Sequence, residues 1–498
     1  MNRSIVGTLC CLFLLFAGNV FPCTAAEEEA APSDVKEIMD KELELAKITA
    51  ELKLSSLPNL WYMRRWQLAQ ITNNTLTSSG AVLNGCTSLN YQESPDNVPR
   101  NVVAAASLQR AIANFISTGE CSLEFGVDAY DHVKNRRAQR DLQHVRRRFN
   151  QITCEVDDRI ASLRTSSSGF DSTQGQRAVL MENILSDVRN AQCREFAFLY
   201  GIATGLKFKR ATNQLLTLIA NLESGVCTMI GIYGTLTGRG TIANRYRIVS
   251  TSGIGDIIGG TIMASAPNLS RLAGRSRRRK ETHRELNVLW GRNNAGDQNK
   301  VGDQNKVGDQ NKVGDQNNLG DRNKVGDQNN LGDRNNLDLT RLQSDCAALG
   351  SLIDSREGKM DAQSALVQRF GNLEFKVLSE RQEMYAADSR LAKSSYAESL
   401  LAANAGGDTK VTNGIGNVIG NRAFTMPTES RLQWLGGTAT SYGCGQALAG
   451  IITLQRRIDE EVRERRLWRE HRNPRQILSD QVSQLSGFQA ALRSSASP

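Results

Sequence analysis

Arginine clusters are the part of this sequence best suited to binding chemistry. A guanidinium group carries a planar fork of N–H donors that matches phosphate and carboxylate oxygens. Of three such clusters, the last is interspersed with glutamates, which is typical of a solvated helix face. The middle cluster has fewer acidic neighbours and contains Arg275, Arg277, Arg278, Arg279 and Lys280. We expect these five residues to contact an anionic partner such as an envelope lipid or polymer. Aromatic residues are not interleaved with them, which argues against nucleic acid.

Catalytic and metal-binding patterns are not found in the sequence. The four histidines are His132, His144, His283 and His471, and each lies in an arginine-rich, helix-like context. No P-loop, HExxH or GxSxG motif occurs. The carboxylates are scattered, so no acid–base pair can be nominated. We therefore predict no catalytic, cofactor-binding or metal-binding residues, no cofactor, and a non-enzymatic protein.

The N-terminus has the pattern of a secretory signal peptide over residues 1–26. Arg3 supplies the positive charge, Leu9 to Phe16 form the apolar core, and Ala25-Ala26 are small residues before an acidic run. The apolar core is too short to span a bilayer. We therefore expect export to a periplasmic, cell-surface or secreted location.

Export would change how the cysteines behave, because disulfides form in oxidising compartments. Seven cysteines lie after Ala26: Cys86, Cys121, Cys154, Cys193, Cys227, Cys346 and Cys444. An odd number leaves at least one thiol free or intermolecular. Cys86 and Cys121 flank a segment rich in loop residues and are the best candidates for a disulfide. The alternative for Cys154 and Cys193 is that they are small buried residues on helices.

Helices must position these groups, because the apolar spacing is helical. The chain has 498 residues, only 9 prolines and 6% aromatic residues, which favours long helices over a β-sandwich or propeller. Between residues 127 and 166, apolar residues recur at gaps of three and four, the spacing of a coiled coil or long bundle helix. We predict a mainly α protein with bundle or coiled-coil hairpins, an irregular stretch over 78–104, and no convincing transmembrane helix.

A glycine-rich motif occurs twice. Gly253-Ile254-Gly255 and Gly414-Ile415-Gly416 match at an offset of 161 residues, and each copy is followed by a Pro-x-x-Ser-Arg-Leu segment. An internal duplication explains this match, and chance similarity of a short motif is the alternative. Glycine is permissive of turns, so the sequence predicts two short glycine-rich turns, each followed by a helix that a proline begins. Two roles are open to them: packing over the end of the bundle, or insertion into a membrane or partner.

A second repeat is a hexapeptide block over residues 295–336, with the consensus (V/L)-G-D-(Q/R)-N-(K/N). A polar, flexible linker is favoured. A short β-helix is the alternative, but seven units make only about two solenoid turns. We divide the chain into a signal peptide (1–26), an N-terminal helical half (27–290), the repeat linker (291–337) and a C-terminal helical half (338–498).

Two functions remain open for such a chain. The first is an exported, non-enzymatic helical scaffold or interaction protein at a cell envelope or surface, which binds a protein partner or self-associates through its helices. The second is a membrane-active protein that uses its glycine-rich apolar segments and its arginine clusters, which bind anionic headgroups. The formal net charge of +9 is compatible with either function.

Overall fold

The computed structural model of the protein describes nine stretches of chain: residues 33–57, 60–94, 97–137, 141–166, 172–237, 242–290, 339–354, 362–422 and 428–494. Helix accounts for 96% of these residues, and none of them lies in a strand. The mainly α prediction is therefore confirmed. The signal peptide and the hexapeptide block lie outside the described residues.

Ten helices make up the described stretches: α1 (Ser33–Ser56), α2 (Leu60–Asn90), α3 (Arg100–Arg137), α4 (Leu142–Ser166), α5 (Ser172–Thr237), α6 (Ile242–Trp290), α7 (Thr340–Asp354), α8 (Ala362–Arg422), α9 (Thr428–Arg469) and α10 (Pro474–Ser494). The predicted irregular stretch over 78–104 is wrong for most of its length, because α2 continues to Asn90 and α3 begins at Arg100. Several of the threonine and serine hydroxyls of α2 donate to carbonyls of the preceding turn. Thr87 Oγ1, for example, donates to the Leu83 carbonyl at 2.7 Å.

One end of the molecule has an ordinary apolar core, and we call it the apolar end. Helices α1, α4, α7 and α10 pack there with parts of α5, α6 and α8. Phe149 and Phe196 stack with ring centroids 3.7 Å apart, and the same cluster includes Leu349. Helices from both sides of the hexapeptide block thus share one core.

The other part of the molecule is a six-helix region built from α2, α3, α5, α6, α8 and α9. Each helix packs against the next in that order, and α9 packs against α2, which closes the circuit. The α5 helix has 66 residues and is therefore about 100 Å long at 1.5 Å per residue. Because α5, α6 and α8 are long, they run through both parts of the molecule.

Close backbone contact between α6 and α8 holds the six-helix region together. A Cβ on Gly253 would lie 2.7 Å from the carbonyl oxygen of Gly414, and a Cβ on Gly414 would lie 2.5 Å from that of Gly253. Gly260 and Gly407 make the same reciprocal contact at 2.7 and 2.8 Å. We call these four residues the glycine seam. The two copies of the glycine-rich motif therefore pack against each other.

The prediction that these motifs form turns is wrong, because both lie inside helices, α6 and α8. Pro267 likewise lies within α6 rather than at the start of a helix. Glycine disfavours a helix by about 1 kcal/mol in isolation, but here its missing side chain permits the seam. The two copies are equivalent in burial, since Gly253 and Gly414 are buried while Ile258 and Ile419 are exposed. Burial of those two isoleucines, expected from turns packed on the bundle, does not occur.

The proposed Cys86–Cys121 disulfide is wrong: both cysteines are free thiols. Helices α2 and α3 are antiparallel neighbours, and Arg65 bonds to Glu120, the residue before Cys121. Cys86 lies 21 residues beyond Arg65 along α2, roughly 30 Å away along the helix. Disulfide-bonded cysteines have Cα atoms within about 7 Å, so these two cannot pair.

We expect Gly253→Ala to lower the free energy of unfolding by roughly 1 to 3 kcal/mol, because its methyl group would press on a backbone carbonyl. Gly437→Ala in α9 is the matched control. No atom lies within 4 Å of a Cβ at Gly437, so alanine there should raise stability by up to about 1 kcal/mol. Urea unfolding of both variants measures the two values. Equal stabilisation by both alanines would contradict the seam.

Candidate functional site

A group of buried charged and polar side chains lies in the interior of the six-helix region. We call it the charged core: Arg110, Asp256, Lys410, Asn413 and Tyr442 are buried, and the half-buried Glu223 lies beside them. Asp256 on α6 accepts hydrogen bonds from Arg110 Nη2 at 3.0 Å and from Asn413 Nδ2 at 2.8 Å. Asp256 thereby connects α6 to both α3 and α8.

Lys410 and Tyr442 complete the charged core. The Arg110 guanidinium carbon lies 5.0 Å from the centroid of the Tyr442 ring, a cation–π contact. Lys410 is 2% exposed. Burial lowers the pKa of Lys410, while the charge of Asp256 opposes that shift. Burial raises the pKa of Glu223, and the charge of Lys410 opposes that shift in turn. Two cations and two carboxylates therefore balance one another in the core.

The hydrogen-bonding capacity of the charged core is not fully used. Arg110 Nε, Asn413 Oδ1 and Glu223 Oε2 are buried and have no hydrogen-bond partner. An unsatisfied buried polar atom costs about 1 to 3 kcal/mol. A buried ion pair is therefore weak evidence for stability, because the cost of removing the charges from water opposes their attraction.

The sequence carried a signal for the charged core that motif searches do not detect. Residues 66–92 and 432–455 contain no charged residue, and residues 101–119, 211–237 and 248–270 contain one each. Those single charges are Arg110, Glu223 and Asp256. An isolated charge within a long uncharged helix is expected to face an interior partner.

One face of the six-helix region is apolar, and we call it the α3–α5 face. Its large exposed side chains are Leu108, Ile112, Phe115, Ile116, Leu123, Leu215, Ile219, Leu222, Val226, Met229 and Ile230. Because α3 and α5 pack against each other, these side chains lie on neighbouring surfaces, and large exposed apolar patches are typical of interaction sites. The outward side of α8 is mixed, since it exposes Asn404, Asp408 and Thr412 together with Leu401, Ile415 and Ile419.

Helix α5 has the strongest apolar segment of the described residues. Gly175–Tyr233 is long enough and apolar enough to cross a membrane, with a peak mean hydropathy of 1.6. It is the one helix within the described ranges that meets both criteria. Only a third of its most apolar window is buried.

The five cationic residues expected to bind an anion lie on α6, towards the apolar end. Arg275, Arg277, Arg279 and Lys280 are exposed, and Arg278 is half-buried with its guanidinium 4.6 Å from the Phe198 ring centroid. Arg277 pairs with Glu281 at 2.9 Å. The structure therefore separates these five residues around the helix instead of gathering them in one site.

A pair of buried carboxylates lies in the apolar end. Glu42 on α1 and Glu374 on α8 are both fully buried, and none of their four oxygens has a hydrogen-bond partner. Burial raises the pKa of Glu374 to about 7, although the charge of Arg381 opposes the shift. Burial and the charge of Glu374 raise the pKa of Glu42. The contact between α1 and α8 therefore favours protonated carboxyls.

Comparison with protein-family models, curated proteins and solved structures finds no match to this chain. Its function must therefore be argued from the geometry of its own residues.

We expect Asp256→Ala to lower the free energy of unfolding by about 3 to 5 kcal/mol, because it leaves the Arg110 charge buried and unpaired. Asp408→Ala on α8 is the matched control, since Asp408 is exposed and its loss should change stability by less than about 0.5 kcal/mol. Urea unfolding followed by circular dichroism measures both. Similar losses of stability from the two variants would show that the Arg110–Asp256 pair contributes no more than an exposed carboxylate.

We expect stability to depend on pH through Glu374. A carboxyl whose pKa is raised on folding stabilises the folded state at acidic pH, and this contribution is lost as pH rises through about 7. Between pH 5 and 8 the wild type should lose up to about 3 kcal/mol relative to Glu374→Gln, which does not ionise. Glu383→Gln, an exposed position on the same helix, should keep the wild-type profile. Parallel pH profiles for wild type and Glu374→Gln would refute this assignment.

Proposed function

We propose that this protein is a membrane-active helical protein that binds a lipid bilayer through its α3–α5 face. The observation that carries the proposal is the set of eleven large apolar side chains exposed on two neighbouring helices. Bilayer binding strengthens with the apolar area that enters the boundary between headgroups and acyl chains. The proposal takes up the second function that the sequence left open, with a different membrane surface.

The distribution of charge supports this orientation. In the six-helix region, Arg110 and Asp256 point into the charged core, whereas Asp408 is exposed on α8. Helix α8 lies three places from α3 in the packing order of the six helices. Exposed apolar side chains also occur on α8 and α9, for example Ile415 and Ile451, but among the described residues they are most numerous on α3 and α5.

Two further observations favour lipid as the occupant of the α3–α5 face. The most apolar segment of α5 is mostly unburied, whereas the apolar core helix of a soluble protein is mostly buried. Tyr130 and Tyr233, each 66% exposed, lie beyond Leu123 and Ile230 on the two helices. Tyrosine is enriched at the boundary between lipid headgroups and acyl chains.

The glycine-rich motifs have a different part in this proposal from the one the sequence suggested. Their glycines pack α6 against α8, so they shape the bundle, and the α3–α5 face supplies the lipid contact. Export, and the scaffold that self-associates through its helices, remain predictions. A second copy covering the α3–α5 face is the outcome that would favour the scaffold.

Flotation of the full-length protein with phosphatidylcholine vesicles tests the proposal. We expect wild type to float with the vesicles, and Leu222→Glu or Ile112→Glu to reduce the bound fraction at least about tenfold, because a charge in an apolar contact is costly. Ile415→Glu on α8 makes the same change at a residue that is 43% exposed, and it should float like wild type.

Mass photometry without lipid separates the alternatives. The membrane proposal expects monomers for wild type and for Leu222→Glu. If wild type does not float and instead forms a dimer that Leu222→Glu dissociates, the α3–α5 face binds a second copy of the chain and not lipid.

A further inference from the structure

A basic cluster is formed by residues from three helices near the junction of the six-helix region with the apolar end. Its members are Lys209 on α5, Arg271 and Arg275 on α6, and Arg456 on α9. Only Arg275 belongs to the arginine cluster that the sequence identified. The chain distances between the three helices explain why sequence reasoning did not bring these residues together.

Glycine contacts between α5 and α6 bring the cations close to one another. A Cβ at Gly274 would lie 2.8 Å from the Cβ of Lys209 and 3.0 Å from the carbonyl oxygen of Gly205. The stem of Lys209 therefore lies directly against α6, at the turn that carries Arg271 and Arg275. A side chain at Gly274 would push Lys209 away from both arginines.

Neighbouring groups hold two of the arginines in place. The Arg271 guanidinium lies 3.8 Å from the Tyr396 ring centroid. Arg456 donates to Ser399 Oγ at 2.5 Å and to Glu460 at 2.9 Å. Both Tyr396 and Ser399 are on α8, so four helices contribute to the position of the cluster.

The cations repel one another. Crowding by protein atoms lowers the pKa of Lys209, and the positive charges of Arg271, Arg456 and Arg275 lower it further. The strongest charges acting on Lys209 are thus all positive. Lys209 and Arg275 are nevertheless exposed, so an anion can reach them from solvent.

We propose that Lys209, Arg271, Arg275 and Arg456 form a binding site for a phosphate group. Phosphate is a compact dianion near neutral pH, and it accepts several charge-assisted hydrogen bonds from arginine forks and a lysine ammonium. A single carboxylate would neutralise less of the cluster. Inorganic phosphate and the phosphate of a lipid headgroup share this chemistry, and the exposed Leu272 (61%) next to Arg271 is placed to contact a lipid chain. The site does not depend on the α3–α5 face.

Thermal unfolding of the full-length protein tests the site with inorganic phosphate as the probe. Sodium phosphate should raise the melting temperature of wild type above its value in sodium chloride at equal ionic strength. Lys209→Gln and Arg275→Gln should each weaken phosphate binding by at least about tenfold in calorimetric titration. Without phosphate, Lys209→Gln should itself raise the melting temperature, because it removes repulsion that a purely structural lysine would not cause.

Arg277→Gln is the matched control, since it removes the same charge from the same helix at a residue paired with Glu281. It should bind phosphate within about twofold of wild type. Vesicles of phosphatidylcholine with and without phosphatidic acid identify the source of the phosphate. A gain in binding from phosphatidic acid that Lys209→Gln abolishes indicates a lipid headgroup, and phosphate binding without that gain indicates a soluble anion. No response of wild type to either probe, or equal weakening by Arg277→Gln and Lys209→Gln, would overturn the site.

Discussion

The reciprocal contact of Gly253 with Gly414 is the constraint on which the six-helix region depends. Each glycine packs against the carbonyl oxygen of the other so closely that a Cβ on either residue would clash with it. Four glycines within helices disfavour those helices by roughly 4 kcal/mol in total, and close interhelical packing offsets that cost. The seam also sets the charged core, because Asn413 precedes Gly414 and bonds to Asp256, three residues beyond Gly253. A wider approach of α6 and α8 would separate that pair.

A polar interior has a consequence for the exterior of the same helices. Small residues fill the contact between α6 and α8, and the charged core occupies positions between α3, α6 and α8. Large apolar side chains on α3 and α5 therefore face outwards, where Ile112 and Leu222 are exposed. The apolar end shows the opposite arrangement, with Phe149 and Phe196 buried. The six-helix region and the apolar end share α5, α6 and α8, yet the first has a polar interior and the second an apolar one. The outward apolar residues of the six-helix region are therefore suited to an apolar partner.

The sequence predicted the helical class, because apolar residues at gaps of three and four fix an amphipathic helix wherever they occur. It also revealed the two glycine-rich copies, since a match at a constant offset needs no structure. It could not predict that these copies are helical, because the local preference of glycine opposes a helix and only the contact between α6 and α8 reverses it. The charged core was missed for a related reason. Arg110 and Asp256 are 146 residues apart in the chain, and nothing local to either residue indicates the other.

The charged core and the basic cluster differ in the charges that surround their cations. We use this difference to distinguish a structural group from a proposed binding site. In the charged core, Arg110 and Lys410 are matched by Asp256 and Glu223, so the chain supplies its own counter-charges. At the basic cluster, the charges that act most strongly on Lys209 are all arginines. Like charges held together by glycine contacts raise the free energy of the folded protein, since repulsion is relieved on unfolding. An anion that binds the folded form alone would lower that free energy in proportion to its affinity. The charged core therefore has its counter-charges within the chain. At the basic cluster Glu460 pairs with Arg456, and the proposed phosphate would add negative charge beside Lys209.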